Sequence, residues 1–160
     1  MPLSELSVVF VCAGNTCRSP LAMGLARKMW PAGVVFSSAG LLMGPALPAA
    51  VPTLAVAGER GVDLSAHRSR SVDAGVMAEA DWLIAMTRSQ VAQLNARRGD
   101  APVKIGLLGC PNQDLAGCAT PVAEEVDDPY GADLAIYRHT ADLLERLLRA
   151  WQPTFGRCEE

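Results

Sequence analysis

Four short apolar runs that alternate with helical segments constrain the fold of this chain more than any other feature. The runs have strand length and are rich in β-branched or aromatic residues, and they lie at 7–12, 33–40, 81–86 and 103–108. Helices are predicted between and after them, at 19–30, 51–60, 73–80, 89–98 and 131–151. Because strands that alternate with helices form parallel sheets, we predict a three-layer α/β fold. Its four-stranded parallel sheet would carry helices on both faces.

The length and charge of the chain limit its domain organisation and its partners. The 160 residues suffice for one domain with a core, so we predict a single domain over 1–160 in which 154–160 form a loose tail. A net charge of −3 with interspersed signs gives no basis for binding nucleic acid. No apolar run is long enough to cross a membrane, and the N-terminus has no signal pattern. A cytoplasmic protein is therefore predicted, and the oligomeric state stays open.

The cysteine content argues against a disulfide scaffold and against a metal site. The chain has five cysteines, which are Cys12, Cys17, Cys110, Cys118 and Cys158. An odd number without a signal sequence is not typical of a secreted scaffold. There is no Cys-x2-Cys pair, and His67 and His139 are isolated, so no metal and no cofactor are predicted. We expect reduced thiols, at least one of which is reactive.

The first apolar run ends in a Cys-x5-Arg segment, the thiol loop (residues 12–18). Ser19 and Pro20 then resemble a helix start, with Ser as N-cap and Pro at the first helical position. Ligands of open α/β sheets bind beyond the carboxyl ends of strands, where backbone N–H groups and the helix N-terminus would hold an oxyanion. This environment favours the thiolate of Cys12, and the planar guanidinium of Arg18 would bind two phosphoryl oxygens. We predict a phosphate-binding loop between strand 1 and helix 1.

The remaining residues of the thiol loop suit a tight backbone. Gly14 lets the loop backbone approach a ligand closely, and Asn15 tolerates the left-handed conformation that such a turn needs. The residues that would surround the oxyanion lie between the thiol and the guanidinium, and they are Ala13, Gly14, Asn15, Thr16 and Cys17.

Phosphoryl transfer to a thiolate also needs a proton donor for the leaving group. The candidates lie in the long loop after the last predicted strand, the acidic loop (residues 109–133), and they are Glu124, Glu125, Asp127 and Asp128. Pro129 biases Asp128 toward an extended backbone. Residue chemistry alone does not choose among the four.

Five segments spread along the chain resemble, in the same order, the low-molecular-weight protein tyrosine phosphatase family. They are VCAGNTCRSP, SSAG, GVDLSAHRSR, ADWLIAM and VDDPYG. The resemblance implies a metal-free enzyme that dephosphorylates phosphorylated proteins through a cysteinyl-phosphate intermediate. It implies Cys12 as the nucleophile, Arg18 as the group that binds the phosphoryl oxygens, and Asp128 as the general acid.

The resemblance also implies supporting roles for other residues. Ser19 would hydrogen-bond the Cys12 thiolate, and a network that holds the loop in shape would consist of Asn15, Ser38 and His67. Cys17 matches the family's second cysteine, which can form a disulfide with the nucleophile under oxidation. The alternative is that Cys17 is a small buried side chain.

The residues expected around the substrate do not choose between two branches of the family. Tyrosine-specific members usually carry Leu or Ile after the nucleophile and two aromatic residues in the acidic loop, whereas this chain has Ala13 and the single aromatic Tyr130. A bacterial branch that acts on phosphoarginine is similar in its single aromatic but usually has Thr at position 13. The loop after SSAG has Leu41, Leu42 and Met43 rather than a Trp, and Leu42 would complete the substrate pocket. Phosphotyrosine and phosphoarginine both stay open.

Two other functions are compatible with a Cys-x5-Arg loop. Thioredoxin-coupled arsenate reductases share the fold, but their additional cysteines follow the third strand, whereas Cys110 and Cys118 follow the fourth. A non-catalytic phosphate-binding module would need the loop but no acid, and the presence of Asp128 argues against it.

Overall fold

A parallel four-stranded sheet forms the centre of the computed structural model, which describes residues 5–156. Its strands are β1 (Leu6–Cys12), β2 (Val34–Gly40), β3 (Trp82–Ala85) and β4 (Lys104–Leu107). They lie in the order β2-β1-β3-β4, and every neighbouring pair is parallel. Because β1 has β2 on one side and β3 on the other, the chain direction across the sheet switches beside Cys12. Such a switch point is where open α/β sheets bind ligands.

The helices cover both faces of this sheet, as predicted. They are α1 (Arg18–Met29), α2 (Val51–Glu59), α3 (Ala74–Glu79), α4 (Arg88–Arg98), α5 (Leu134–Arg149) and α6 (Gln152–Phe155). Successive strand residues point to opposite faces. Val8 and Phe10 therefore pack with α1, α2, α5 and α6, while Val9 and Val11 pack with α3 and α4. The α/β fold class is confirmed.

The predicted N-cap of the first helix was wrong by two residues, with a consequence for the site. The α1 helix begins at Arg18 and its N-cap is Cys17, so Ser19 is not the N-cap. The Ser19 hydroxyl instead contacts the side chains of Cys12 and Asn15. The hydrogen bonds available within the thiol loop have replaced the capping bond that the sequence pattern indicated.

The predicted loose tail was also wrong over its described part. Residues 152–155 form α6, and the Phe155 side chain is 1% exposed. Its ring packs edge-on against Phe36 with centroids 5.1 Å apart and stacks on Trp151 at 5.4 Å. Residues 157–160, with Cys158, lie outside the described residues. Among the described residues, no helix combines the length and apolarity needed to cross a membrane.

Candidate active site

The Cys12 thiol lies at the carboxyl end of the central strand, buried below the N-terminus of α1. Its sulfur is 3.0 Å from the Ser19 hydroxyl oxygen. That oxygen accepts a hydrogen bond of 2.8 Å from the Asn15 side-chain amide, which leaves the hydroxyl proton of Ser19 free to donate. The Ala39 carbonyl, 3.5 Å away, is a more distant acceptor than the sulfur. Ser19 is thus placed to donate a hydrogen bond to a Cys12 thiolate.

Asn15 is the most constrained residue of the thiol loop. It is fully buried and has a φ of 58°, the left-handed conformation that the sequence predicted. Its side-chain oxygen accepts from the backbone N–H of Arg70 at 3.0 Å, and its carbonyl accepts from Nε2 of His67 at 2.8 Å. With the bond to Ser19, three hydrogen bonds hold this strained residue in place.

Ser38 does not join this network through its side chain. Among the described residues, its hydroxyl makes no hydrogen bond to Asn15 or His67; its backbone carbonyl accepts from Nε of Arg70 at 3.0 Å. Gly40, which the sequence analysis did not single out, is in closer contact with the loop. A Cβ atom at Gly40 would lie 2.8 Å from the Ala13 carbonyl oxygen, so the loop can close against β2 only because this residue is glycine.

Arg18 is buried, and one of its nitrogen atoms lacks a hydrogen-bond acceptor among the described residues. Its Nη1 donates to the Val126 carbonyl at 2.9 Å, and its Nη2 lies 3.7 Å from a carboxylate oxygen of Asp128. Its Nε is buried and has no hydrogen-bond partner among the described residues. Leaving a buried charged donor unpaired costs a few kcal/mol. An oxyanion held in the thiol loop would remove that cost.

The acidic loop places the four candidate carboxylates in different surroundings. Glu124 forms an ion pair with Arg146, and Glu125 accepts a hydrogen bond from the backbone N–H of Arg88. Both therefore have structural partners that hold the loop against α4 and α5. These two residues are accounted for without any role in the chemistry.

Asp128 is the candidate carboxylate that shares a pocket with the thiol. It lines the same pocket as Cys12, whereas its exposed neighbour Asp127 does not. One carboxylate oxygen of Asp128 accepts a hydrogen bond of 3.1 Å from the backbone N–H of Tyr130. A second hydrogen bond, of 3.0 Å from the Val126 backbone N–H to the Met86 carbonyl, anchors the acidic loop. The fold thus separates four candidates that residue chemistry leaves equivalent.

These groups surround one pocket of about 210 Å³. Its lining includes the predicted catalytic and substrate residues together with part of the thiol loop, namely Cys12, Ala13, Gly14, Thr16, Cys17, Arg18, Leu42, Asp128 and Tyr130. Leu42 is placed there because its backbone N–H bonds the Ala13 carbonyl at 3.0 Å. Leu42 and Tyr130 are 66% and 75% exposed, so they are available to an incoming substrate.

Cys17 lies in the same pocket and contacts the last long helix. Its sulfur is 3.5 Å from the Tyr137 hydroxyl. Burial, followed by the contact with Cys17, raises the pKa of Tyr137 above its ordinary value, so this hydroxyl stays protonated and can donate to the sulfur. Cys12, Cys17, Cys110 and Cys118 are all free thiols. Neither Cys110 nor Cys118 lines this pocket.

The bond from His67 to the thiol loop makes stability depend on pH. Burial, opposed by the bond to Asn15, lowers the pKa of His67 below its ordinary 6.5. The unfolded chain therefore takes up this proton first as pH falls, so the free energy of unfolding should decrease from pH 6.5 down to the lowered pKa. Urea unfolding of the wild type and of His67→Gln between about pH 8 and pH 5 measures this decrease in the free energy of unfolding. The pH dependence of the free energy of unfolding should weaken in His67→Gln. It should persist in the control His139→Gln, which alters an exposed histidine. The same pH dependence in all three proteins would contradict this prediction.

Comparison with known proteins identifies the family of the chain. The family model for low molecular weight phosphotyrosine protein phosphatase matches residues 7–158. A probable low molecular weight protein-tyrosine-phosphatase, EpsP of Ralstonia solanacearum, is 30% identical over 149 residues, which cover 92% of this chain and 94% of EpsP. A protein-arginine-phosphatase of Geobacillus stearothermophilus is 33% identical over 141 residues, 88% of this chain and 90% of its own.

A solved structure gives the same result for the fold. The low molecular weight protein tyrosine phosphatase from T. tengcongensis superposes with a TM-score of 0.78 at 31% identity, covering 91% of this chain and 97% of that protein. The chain therefore belongs to the low molecular weight phosphotyrosine protein phosphatase family.

Proposed function

We propose that this protein is a phosphatase that hydrolyses phosphorylated side chains of proteins through a cysteinyl-phosphate intermediate. One observation carries the proposal: the buried Nε of Arg18 has no hydrogen-bond partner within residues 5–156 and belongs to a side chain that lines the same pocket as the Cys12 thiol and the Asp128 carboxylate. A nucleophile, an anion-binding cation and a proton donor therefore meet in one pocket.

The reaction would proceed in two displacements at phosphorus. In the first, the Cys12 sulfur forms a bond to phosphorus while the bond to the leaving group breaks, and protonated Asp128 donates its proton to that group. In the second, water attacks phosphorus, Asp128 takes a proton from the water, and the sulfur leaves as a thiolate. Arg18 and the backbone N–H groups of the thiol loop hold the phosphoryl oxygens in both steps.

Replacing the acid should separate the two displacements. Asp128→Asn should lower kcat by about 10²–10⁴-fold, because an amide neither donates to the leaving group nor accepts from water. With para-nitrophenyl phosphate, whose leaving group departs without protonation, release of nitrophenol in the first turnover should outpace hydrolysis. Intact-mass measurement would then detect phosphorylated enzyme.

The neighbouring carboxylate provides the matched control for this prediction. Asp127→Asn removes the same charge one residue away, outside the pocket, and should leave kcat close to that of the wild type. Equal losses in both variants would show that the effect is one of general charge, and the assignment of Asp128 as the acid would be wrong.

The pocket wall supports phosphotyrosine as the substrate. Leu42 and Tyr130 offer apolar surface beside a small Ala13, which leaves room for a flat ring. Phosphoarginine is the second candidate, because a relative named as a protein-arginine-phosphatase is 33% identical and the described acidic loop carries a single aromatic residue. Both substrates present the same phosphoryl group to the thiol loop.

Rates on matched phosphotyrosine and phosphoarginine peptides test the function and the preference together. We expect wild-type kcat/KM to be higher for phosphotyrosine. Ala13→Ile should move the ratio further toward phosphotyrosine and Ala13→Thr toward phosphoarginine, each by about 10–200-fold, the effect of one pocket contact. If the enzyme hydrolysed neither of the two peptides, the proposed function would be wrong. If the wild type preferred phosphoarginine, the choice of substrate would be wrong.

A further inference from the structure

A second cavity, of about 280 Å³, adjoins the residues that hold the thiol loop. We call it the basic cavity. Its charged and titratable lining comes from α1 and from the segment between α2 and α3, and consists of Arg27, Asp63, His67, Arg68 and Arg70. Ser37 and Ser38 of β2 add polar groups to the wall. Three arginines and one aspartate thus line the cavity, which gives it a local excess of positive charge.

The three arginines of the basic cavity have no carboxylate partner among the described residues. Other arginines of the chain do have one: Arg60 and Arg138, for example, pair with acidic side chains at 2.6–2.8 Å. The single carboxylate in the cavity, Asp63, is used locally, where it accepts from the backbone N–H of Ser65 at 2.9 Å. The positive charge of the cavity is therefore not neutralised from within the described chain.

Backbone carbonyls hold the three guanidinium groups in place and leave each with a free donor. Arg27 donates from Nε and Nη2 to one carbonyl at 3.1 and 2.8 Å, Arg70 donates from Nε at 3.0 Å, and Arg68 donates from Nη1 at 2.6 Å. Nη1 of Arg27, Nη2 of Arg68 and Nη1 of Arg70 have no hydrogen-bond partner in the described part of the chain. The three arginines are exposed, so these charged donors are open to solvent and can contact the oxygens of a tetrahedral anion.

We infer that the basic cavity is a second oxyanion site, distinct from the thiol loop, which binds inorganic phosphate or the phosphate group of a small molecule. Its volume lies just below the range of about 300–1,000 Å³ typical of drug-sized ligands, which fits a small ligand. The inference rests on the arginines alone and does not depend on the proposed phosphatase activity.

The site is connected to the thiol loop through two residues of its own lining. His67 donates from Nε2 to the Asn15 carbonyl, and the backbone N–H of Arg70 donates to the Asn15 side chain. After burial, the charges of Arg68 and Arg27 also lower the pKa of His67. A bound oxyanion offsets those charges, so it raises the pKa of His67 and favours an imidazolium that binds the Asn15 carbonyl more strongly.

NMR titration of the His67 imidazole with inorganic sulfate as the probe tests the site. Sulfate should raise the pKa of His67 in the wild type and in Arg18→Gln, in which the thiol loop has lost its cation. The rise should disappear in Arg27→Gln/Arg68→Gln and persist in the control Arg149→Gln, which removes one positive charge from an exposed arginine of α5. A rise that is absent in the wild type, lost in Arg18→Gln or retained in the double variant overturns the inference.

Crystals soaked in selenate provide a measurement that needs no variant. Anomalous scattering from selenium should mark two positions, one in the thiol loop and one among Arg27, Arg68 and Arg70. A peak in the thiol loop alone overturns the inference. Repeating the titration in Cys12→Ser with glycerol phosphate and with inorganic phosphate identifies the source: tighter binding of the ester assigns the site to a phosphorylated small molecule, and tighter binding of phosphate assigns it to the free ion.

Discussion

Cys12→Ser is expected to reduce kcat by about 10⁶-fold, the scale on which hydrolases respond to loss of their nucleophile. A serine hydroxyl is not ionised near neutral pH, and it forms no thiol-phosphate. The substitution is small, and the site is buried between β1 and α1, so the fold and the contact with Ser19 should persist. Activity on para-nitrophenyl phosphate measures the loss.

Two further measurements make this result specific. Oxyanion binding should survive in Cys12→Ser, because Arg18 and the loop backbone remain; inhibition of the wild type by sulfate and binding of sulfate to the variant can be compared directly. Cys118→Ser is the matched control, since this exposed thiol donates to the nearby Ala116 carbonyl and does not line the pocket. Full activity in Cys12→Ser would rule out a cysteinyl-phosphate mechanism.

Arg18→Lys is expected to lower kcat by about 10³-fold or more, even though the charge is kept. A lysine ammonium cannot make the two parallel bonds that a guanidinium makes to phosphoryl oxygens. The ammonium also cannot reproduce the guanidinium's simultaneous hydrogen bonds to the Val126 carbonyl and to an oxyanion. The contact between the thiol loop and the acidic loop therefore weakens. The loss should therefore fall on kcat as well as on KM.

Steady-state rates and the inhibition constant for sulfate separate these effects. A kcat loss larger than the loss of sulfate affinity indicates that Arg18 acts in the transition state and holds the acidic loop. Arg149→Lys, an exposed site on α5, should leave both quantities unchanged. A decrease of less than about tenfold in kcat for Arg18→Lys would contradict the assignment of Arg18 as the group that stabilises the transition state.

Local patterns in the sequence were sufficient for most of the fold. The alternation of apolar strands with helices predicted the four-stranded parallel sheet, because the periods of strand and helix are properties of neighbouring residues. The left-handed conformation of Asn15 was predicted for the same reason, since backbone sterics act within one residue. The Cys-x5-Arg spacing likewise placed Cys12 and Arg18 in one loop at a strand end.

The tertiary structure decided what depends on residues far apart in the chain. It brought Asp128 of the acidic loop to Arg18, 110 residues earlier, and gave Glu124 and Glu125 other partners. It directed the Ser19 hydroxyl to the thiol, packed Phe155 into the core, and required Gly40 beside Ala13. Periodicity and propensity describe a residue and its neighbours, whereas these outcomes depend on which surfaces meet when the helices pack on the sheet.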